Sequence, residues 1–268
     1  MGAAIAVLFS FIPYDTKSVA VVTIGFFINN IIFFKIKIKI KGDKYMKHKG
    51  TRILINSIIL ILLFALWTIL VINFDVKPIG VKGTWVGFSQ LNKYFHNLTG
   101  VNMTLYNITD WLGLVPLFVC FIFGILGLIQ LIKRKSLFKV DMDIILLGVY
   151  YIIVIFSYLV FEMIPINYRP ILINGFMEAS YPSSTTLLVL SVMPTLNFQI
   201  NKRIKNSLMK NIICFISGAF FVFMVFGRLI SGVHWFSDII GSVLLSMGLY
   251  YLYKASAVFV GRNNNGIR

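Results

Sequence analysis

Arg228, His234 and Asp238 fall within the stretch RLISGVHWFSDII, between two runs of apolar residues. If a helix starts near His234, the histidine and the aspartate lie one turn apart on one face, and the carboxylate accepts a hydrogen bond from one ring nitrogen. The other nitrogen then keeps its lone pair, as a nucleophilic histidine requires. Arg228 precedes the turn at Ser231 and Gly232, so its planar guanidinium can reach back over the same site and grip phosphate oxygens in bidentate fashion. The same residues also read as an interfacial arginine that snorkels, beside a His–Asp pair at a helix start. From this stretch alone both readings stay open.

Two further polar stretches add to it. In YPSSTT, Pro182, Ser183, Ser184 and Thr185 are residue types that begin a helix, and a helix start offers free backbone N–H groups and a positive dipole to an anion. Ser183 and Ser184 could also donate hydroxyls, although an N-cap alone explains them as well. In NYRPIL, Arg169 supplies a second guanidinium from a different segment. Two arginines, a helix start and an oriented histidine together describe a site for a phosphate ester.

The rest of the chain must position these groups, and it is built for lipid. Of 268 residues 58% are hydrophobic and only 13% charged, far from the roughly 25% charge of a soluble domain. Apolar blocks close to the length of a bilayer-crossing helix occur at Ile53–Asn73, Leu112–Ile132, Ile144–Ile164, Thr185–Ile200, Asn211–Phe226 and Ile239–Ala257. The expected fold is therefore all-α: a polytopic membrane bundle of six core helices occupying residues 46–257, followed by a short polar tail, 258–268. The fourth block is short and carries Pro194, a kinking residue. Residues 1–45 hold two largely apolar runs and leave room for a seventh helix, or form an extension ahead of Met46.

Lysines and arginines mark orientation, because basic residues in short loops stay on the cytoplasmic side. They cluster before the first block, after the second (Lys133, Arg134, Lys135, Lys139) and after the fourth (Lys202, Arg203, Lys205, Lys210). The three polar stretches then share the opposite, non-cytoplasmic face. The net charge of +16 is thereby explained by topology and anionic headgroups, with no nucleic acid partner. Cys120 and Cys214 lie inside blocks and make no framework. The three histidines lack zinc-ligand spacing, so neither a metal nor another cofactor is expected.

Arg228, His234 and Asp238 in the pattern R-x5-H-x3-D, with Arg169–Pro170 and Pro182–Ser183–Ser184 upstream, resemble the phosphatidic acid phosphatase type 2 superfamily of membrane lipid phosphatases, relatives of the vanadium haloperoxidases. The resemblance implies a metal-independent phosphatase in which His234 attacks phosphorus to form a phosphohistidine and Asp238 orients it. Arg169, Ser183 and Arg228 would hold the phosphoryl oxygens, with Ser184 and nearby N–H groups beside them. Two positions depart from the family pattern. Glu162 stands where the family has a lysine, and Thr185 where it has the histidine that protonates the leaving alcohol. General acid catalysis is worth roughly 10²–10⁴-fold, and a departing phosphate, with a second pKa near about 6, needs it little. The expected favourite is therefore a lipid diphosphate, unless Glu162 or Glu178 serves as the acid. A headgroup transferase using the same histidine, or a non-catalytic lipid phosphate binder, are the alternatives. A transporter fits less well, because the blocks hold few ionisable residues near mid-membrane.

Overall fold

The computed structural model describes residues 42–263. The chain divides into two compact units, Met1–Tyr45 and Met46–Arg268. The readings made for the amino-terminal segment fall almost wholly on residues 1–41, outside the described residues, as do the last five residues of the expected tail.

Among the described residues eight α-helices follow in order: α1 (Gly42–Asn73), α2 (Ser89–Thr99), α3 (Met103–Leu112), α4 (Leu114–Arg134), α5 (Met142–Met163), α6 (Ser184–Arg203), α7 (Ser207–Ile230) and α8 (Phe236–Asn263). The fold is all-helical, and β-pairing among the described residues is limited to isolated bridges. Among the described residues five segments are long and apolar enough to cross a membrane: His48–Asn73, Met103–Arg134, Met142–Met163, Ser207–Ile230 and Phe236–Val260. Their outward faces carry exposed Ile, Leu and Phe side chains such as Leu62, Phe121, Ile152 and Phe215, the composition that hydrocarbon requires.

The sixth long helix, α6, differs for a physical reason. It packs against α4, α5, α7 and α8, so protein surrounds it and it can keep polar residues that lipid would penalise. Ser191, Thr195 and Gln199 are fully buried. The Tyr150 hydroxyl donates to the Ser191 carbonyl at 3.0 Å, Tyr151 and Thr195 share a bond of 2.8 Å, and Gln199 donates to the Tyr253 hydroxyl at 2.8 Å. α1 docks on α8 through Ser57, whose hydroxyl donates to the Gly248 carbonyl at 2.7 Å. A Cβ at Gly248 would come within 2.9 Å of Ile61, so this close approach requires glycine.

Antiparallel succession of the long helices gathers the basic connections at one end of the bundle, where an ionic clasp ties α4, α5 and α6. Arg203 spans Asp141 at 3.3 Å and Asp143 at 2.8 Å, while Arg134 holds Asp141 at 2.8 Å and Lys202 holds Asp143 at 3.0 Å. Gln130 completes it, donating to Asp141 at 3.0 Å and accepting from its backbone N–H at 2.9 Å. Arg203→Ala removes the one cation shared by both aspartates, but each keeps a second partner. The expected loss is about 1–2 kcal/mol, seen as a fall of about 2–8 °C in the unfolding midpoint in detergent. Lys202→Ala, at a more exposed position, should shift the midpoint by less.

The other end is roofed. Between α1 and α4 the chain folds α2 against the start of α8 and α3 against α7. Asn92 fastens the roof: its amide donates to the Gly87 carbonyl at 2.7 Å and to Ser237 Oγ at 2.9 Å, and its oxygen accepts the Ser237 N–H at 3.0 Å. Asn102 caps α3 by accepting the Leu105 N–H at 2.9 Å. Its own N–H donates to the Ser231 carbonyl at 3.0 Å.

Candidate active site

Three segments meet at this end, the third of them part of the roof itself. The first is the turn between α7 and α8, Ser231 to Trp235, which contains His234. Gly232 has φ +67° and lies so close to the Gly100 carbonyl that a Cβ would sit 1.8 Å from its oxygen. Both the left-handed backbone and the contact demand glycine there. α8 starts at Phe236, two residues after His234. This places Asp238 in the first turn, where its carboxylate reaches back to accept the Trp235 N–H at 2.8 Å, one half of a capping box.

The second segment, between α5 and α6, folds back on itself. Tyr168 pairs with Ala179 and Ile173 with Phe176. Asn174 (φ 50°) and Gly175 (φ 85°) form the reversal, an Asn-Gly pair suited to two successive positive φ angles. The pairing sets Arg169 opposite Glu178 and Asn167 opposite Ser180, through Arg169 N–H to the Glu178 carbonyl at 3.1 Å and Ser180 N–H to the Asn167 carbonyl at 2.9 Å. The third segment is α3, which brings Tyr106 and Asp110.

His234 is 3% exposed, and its two ring nitrogens have different neighbours. Nδ1 lies 3.2 Å from the Ser180 carbonyl oxygen, and Nε2 lies 3.1 Å from Arg228 Nη2. A carbonyl can only accept and a guanidinium can only donate, so Nδ1 carries the proton and Nε2 the lone pair. Burial, followed by the positive charges of Arg169 and Arg228, holds the ring well below the usual histidine pKa, which keeps it neutral.

The carboxylate of Asp238 stands 3.8 Å from Nδ1, beyond hydrogen-bond reach. The expected one-turn bond is thus replaced by the Ser180 carbonyl, because a helix that starts at Phe236 turns the carboxylate back toward its own first turn. Asp238 takes the Ser180 hydroxyl and the Asn167 amide, the latter at 3.2 Å, in addition to Trp235.

Arg228 is fully buried and Arg169 is 8% exposed. Tyr106 separates them, with the Arg228 guanidinium carbon 4.9 Å and that of Arg169 5.6 Å from its ring centre. Arg169 pairs with Glu178 at 3.0 Å and donates to the Tyr106 hydroxyl at 3.3 Å. Arg228 pairs with Asp110 at 3.4 Å. Even so, the Nε atoms of both arginines are buried without a hydrogen-bond partner. Buried donors left unpaired are costly, and here two belong to adjacent cations, which is the chemistry of a site for an oxyanion.

The remaining candidates lie around this centre. Ser183 is bound into the start of α8: its N–H meets the Asp238 carbonyl at 3.3 Å and its carbonyl accepts from Ser242 at 2.9 Å. Its hydroxyl turns to Thr186 Oγ1 at 3.1 Å. Thr185 packs its methyl toward Gly113, where a Cβ would meet it at 3.2 Å. Ser184 and Glu162 share a small cleft with Tyr158, Phe161, Ala179, Tyr181, Pro182 and Leu187.

Residues 146–261 match the family model of the PAP2 superfamily. Over this segment, less than half of its length, the chain is similar to that superfamily. Among curated protein sequences nothing matches the chain. Among solved structures it is similar to the crystal structure of a transmembrane PAP2-type phosphatidylglycerolphosphate phosphatase from Bacillus subtilis. The identity is 18% and the TM-score 0.54, over 75% of this chain and 96% of that one. The protein therefore has the fold of a PAP2 membrane phosphatase and is a multi-pass membrane protein.

The PAP2 segment contains Arg169, Arg228, His234 and Asp238 but not the roof, which ends before it begins. Tyr106 and Asp110 accordingly escaped sequence reasoning, since nothing in their spacing ties them to His234. Asn167 and Ser180 escaped it too, because the register extended outward from the Asn174–Gly175 turn pairs Ser180 with Arg169, and the observed pairing is offset from it by two residues.

Proposed function

We propose that this protein is a lipid phosphatase that hydrolyses a lipid phosphate or diphosphate monoester through a phosphohistidine at His234, on the non-cytoplasmic face. One observation carries the reading: a neutral histidine whose Nε2 lone pair is held free by a carbonyl on its other nitrogen, directly beside two buried guanidinium groups with unused N–H donors. The orientation rests on the lysine-rich connections at the opposite end of the bundle.

In the first step Nε2 forms a bond to phosphorus and the bond to the leaving oxygen breaks. Arg228 exchanges its contact with Nε2 for a phosphoryl oxygen, and Arg169 takes a second. These cations are in place before charge develops, so they stabilise the transition state without reorganising. The phosphorylated ring is an imidazolium, its Nδ1–H still on the Ser180 carbonyl and the Asp238 carboxylate nearby. Water then attacks phosphorus, the N–P bond breaks, and phosphate leaves with neutral His234 restored.

Purified protein in detergent should release phosphate from phosphatidate or from a polyprenyl diphosphate. Brief incubation with labelled substrate should leave an acid-labile, base-stable phosphoprotein. Absence of release from both lipids would sink the proposal. Product appearing on an added alcohol instead of water would redirect it to headgroup transfer.

A further inference from the structure

Tyr106 is a buried phenol beside the two arginines, yet no rule of spacing or composition draws attention to it. Its hydroxyl accepts from Arg169 at 3.3 Å. Among the described residues no acceptor receives its own proton. It thus joins the two unpartnered Nε–H groups as a third donor available to a bound anion.

These donors differ in what they can give up. A guanidinium binds but does not release its proton in a protein. Glu178 and Asp110 are engaged as acceptors in ion pairs with Arg169 and Arg228. Thr185, whose methyl sits toward Gly113, offers an alcohol no more acidic than the leaving group. Tyr106 is the remaining hydroxyl at the arginine pair whose proton can be transferred. The phenolate it would leave sits with one guanidinium hydrogen-bonded to its oxygen and a second against its ring.

We infer that Tyr106 is a catalytic residue, the general acid that protonates the leaving alkoxide when a lipid phosphate monoester is cleaved. The inference rests on the phosphatase reading and revises the expectation that diphosphates are favoured for want of an acid. As Nε2 bonds to phosphorus and the P–O bond breaks, the phenolic proton passes to the departing oxygen. In the second step the phenolate takes a proton from the attacking water as its oxygen bonds to phosphorus and the N–P bond breaks. Tyrosine and histidine both return to their starting states.

The test compares chain-matched alkyl and aryl phosphates in wild-type protein and in Tyr106→Phe. The aryl leaving group needs no proton at neutral pH. Wild type should show a shallow dependence on the leaving group. In Tyr106→Phe the ratio of alkyl to aryl kcat/KM, which reports the leaving-group step and not the shared hydrolysis of the phosphoenzyme, should fall by about a hundredfold or more, the typical worth of a general acid. An equal loss on both substrates would make Tyr106 a positioning residue and overturn the inference. No loss on either substrate would assign the proton to another group and overturn it as well. A steep leaving-group dependence already present in wild type overturns it without any variant, even if Tyr106→Phe fails to fold. Wild type inactive on every ester would remove the phosphatase reading itself, whereas an active wild type with an unchanged ratio removes only the role of Tyr106.

Discussion

His234→Asn should abolish phosphate release while leaving the fold intact. The asparagine amide can occupy the place of Nδ1 and donate to the Ser180 carbonyl, now met by the ring at 3.2 Å, so the turn between α7 and α8 keeps its anchor. What disappears is the lone pair facing Arg228. Removing a covalent nucleophile from a preorganised site costs on the order of 10⁵–10⁶-fold, and no phosphoprotein should accumulate. The unfolding midpoint in detergent should stay within a few degrees of wild type. Retention of more than about one per cent of activity would mean that water attacks the ester directly and the histidine only binds.

Asp238→Asn should reduce turnover by roughly a thousandfold. The carboxylate accepts three buried donors, from Trp235 N–H, Ser180 Oγ and Asn167 Nδ2. An asparagine can keep its oxygen on the first two and turn its NH2 toward Asn167, whose own amide flips to present oxygen. The structure therefore tolerates the change, and the Ser180 carbonyl continues to fix the tautomer of His234. What is lost is the negative charge, 3.8 Å from Nδ1, that offsets the imidazolium of the phosphoenzyme. At that separation the interaction is worth about 4 kcal/mol in a medium of intermediate dielectric, and about 1.4 kcal/mol is a factor of ten. The loss should fall on kcat more than on KM, because the neutral ring of the free enzyme gains little from the charge. A full loss equal to that of His234→Asn would show that Asp238 also controls the tautomer.

The parts of this protein that face lipid were legible in its sequence, because hydrocarbon imposes the same demand at every position. The apolar blocks at Ile144–Ile164 and Asn211–Phe226 lie within α5 and α7 to within a residue or a few at each end. The block containing Pro194 is a helix too, but a protein-enclosed one whose Thr195 and Gln199 bond to Tyr151 of α5 and Tyr253 of α8 rather than facing lipid. Arg228, His234 and Asp238 could be read together because one turn and one helix start hold them. Ser180, Asn167 and Tyr106 could not, since their proximity to His234 is created by a hairpin and by a roof helix, α3, fastened through the Asn102 N–H to the Ser231 carbonyl. The hydrogen bond expected from His234 to Asp238 failed for a local reason, the position of the first helical residue.

The roof is held to the bundle by α2 against the start of α8 and by α3 along α7, with Asn92 on Ser237, Gly100 against Gly232 and Asp110 on Arg228 among the contacts, and it lies upstream of the segment that carries His234. On the proposed mechanism, the residue that delivers the departing proton is thus encoded in one stretch of the gene, and the residue that attacks phosphorus in another. A lineage could replace the former and acquire a new substrate while the latter stays untouched. Such an exchange would have to respect the seam at Asn92, Gly100 and Asn102 and the contacts that Tyr106 and Asp110 make with Arg169 and Arg228.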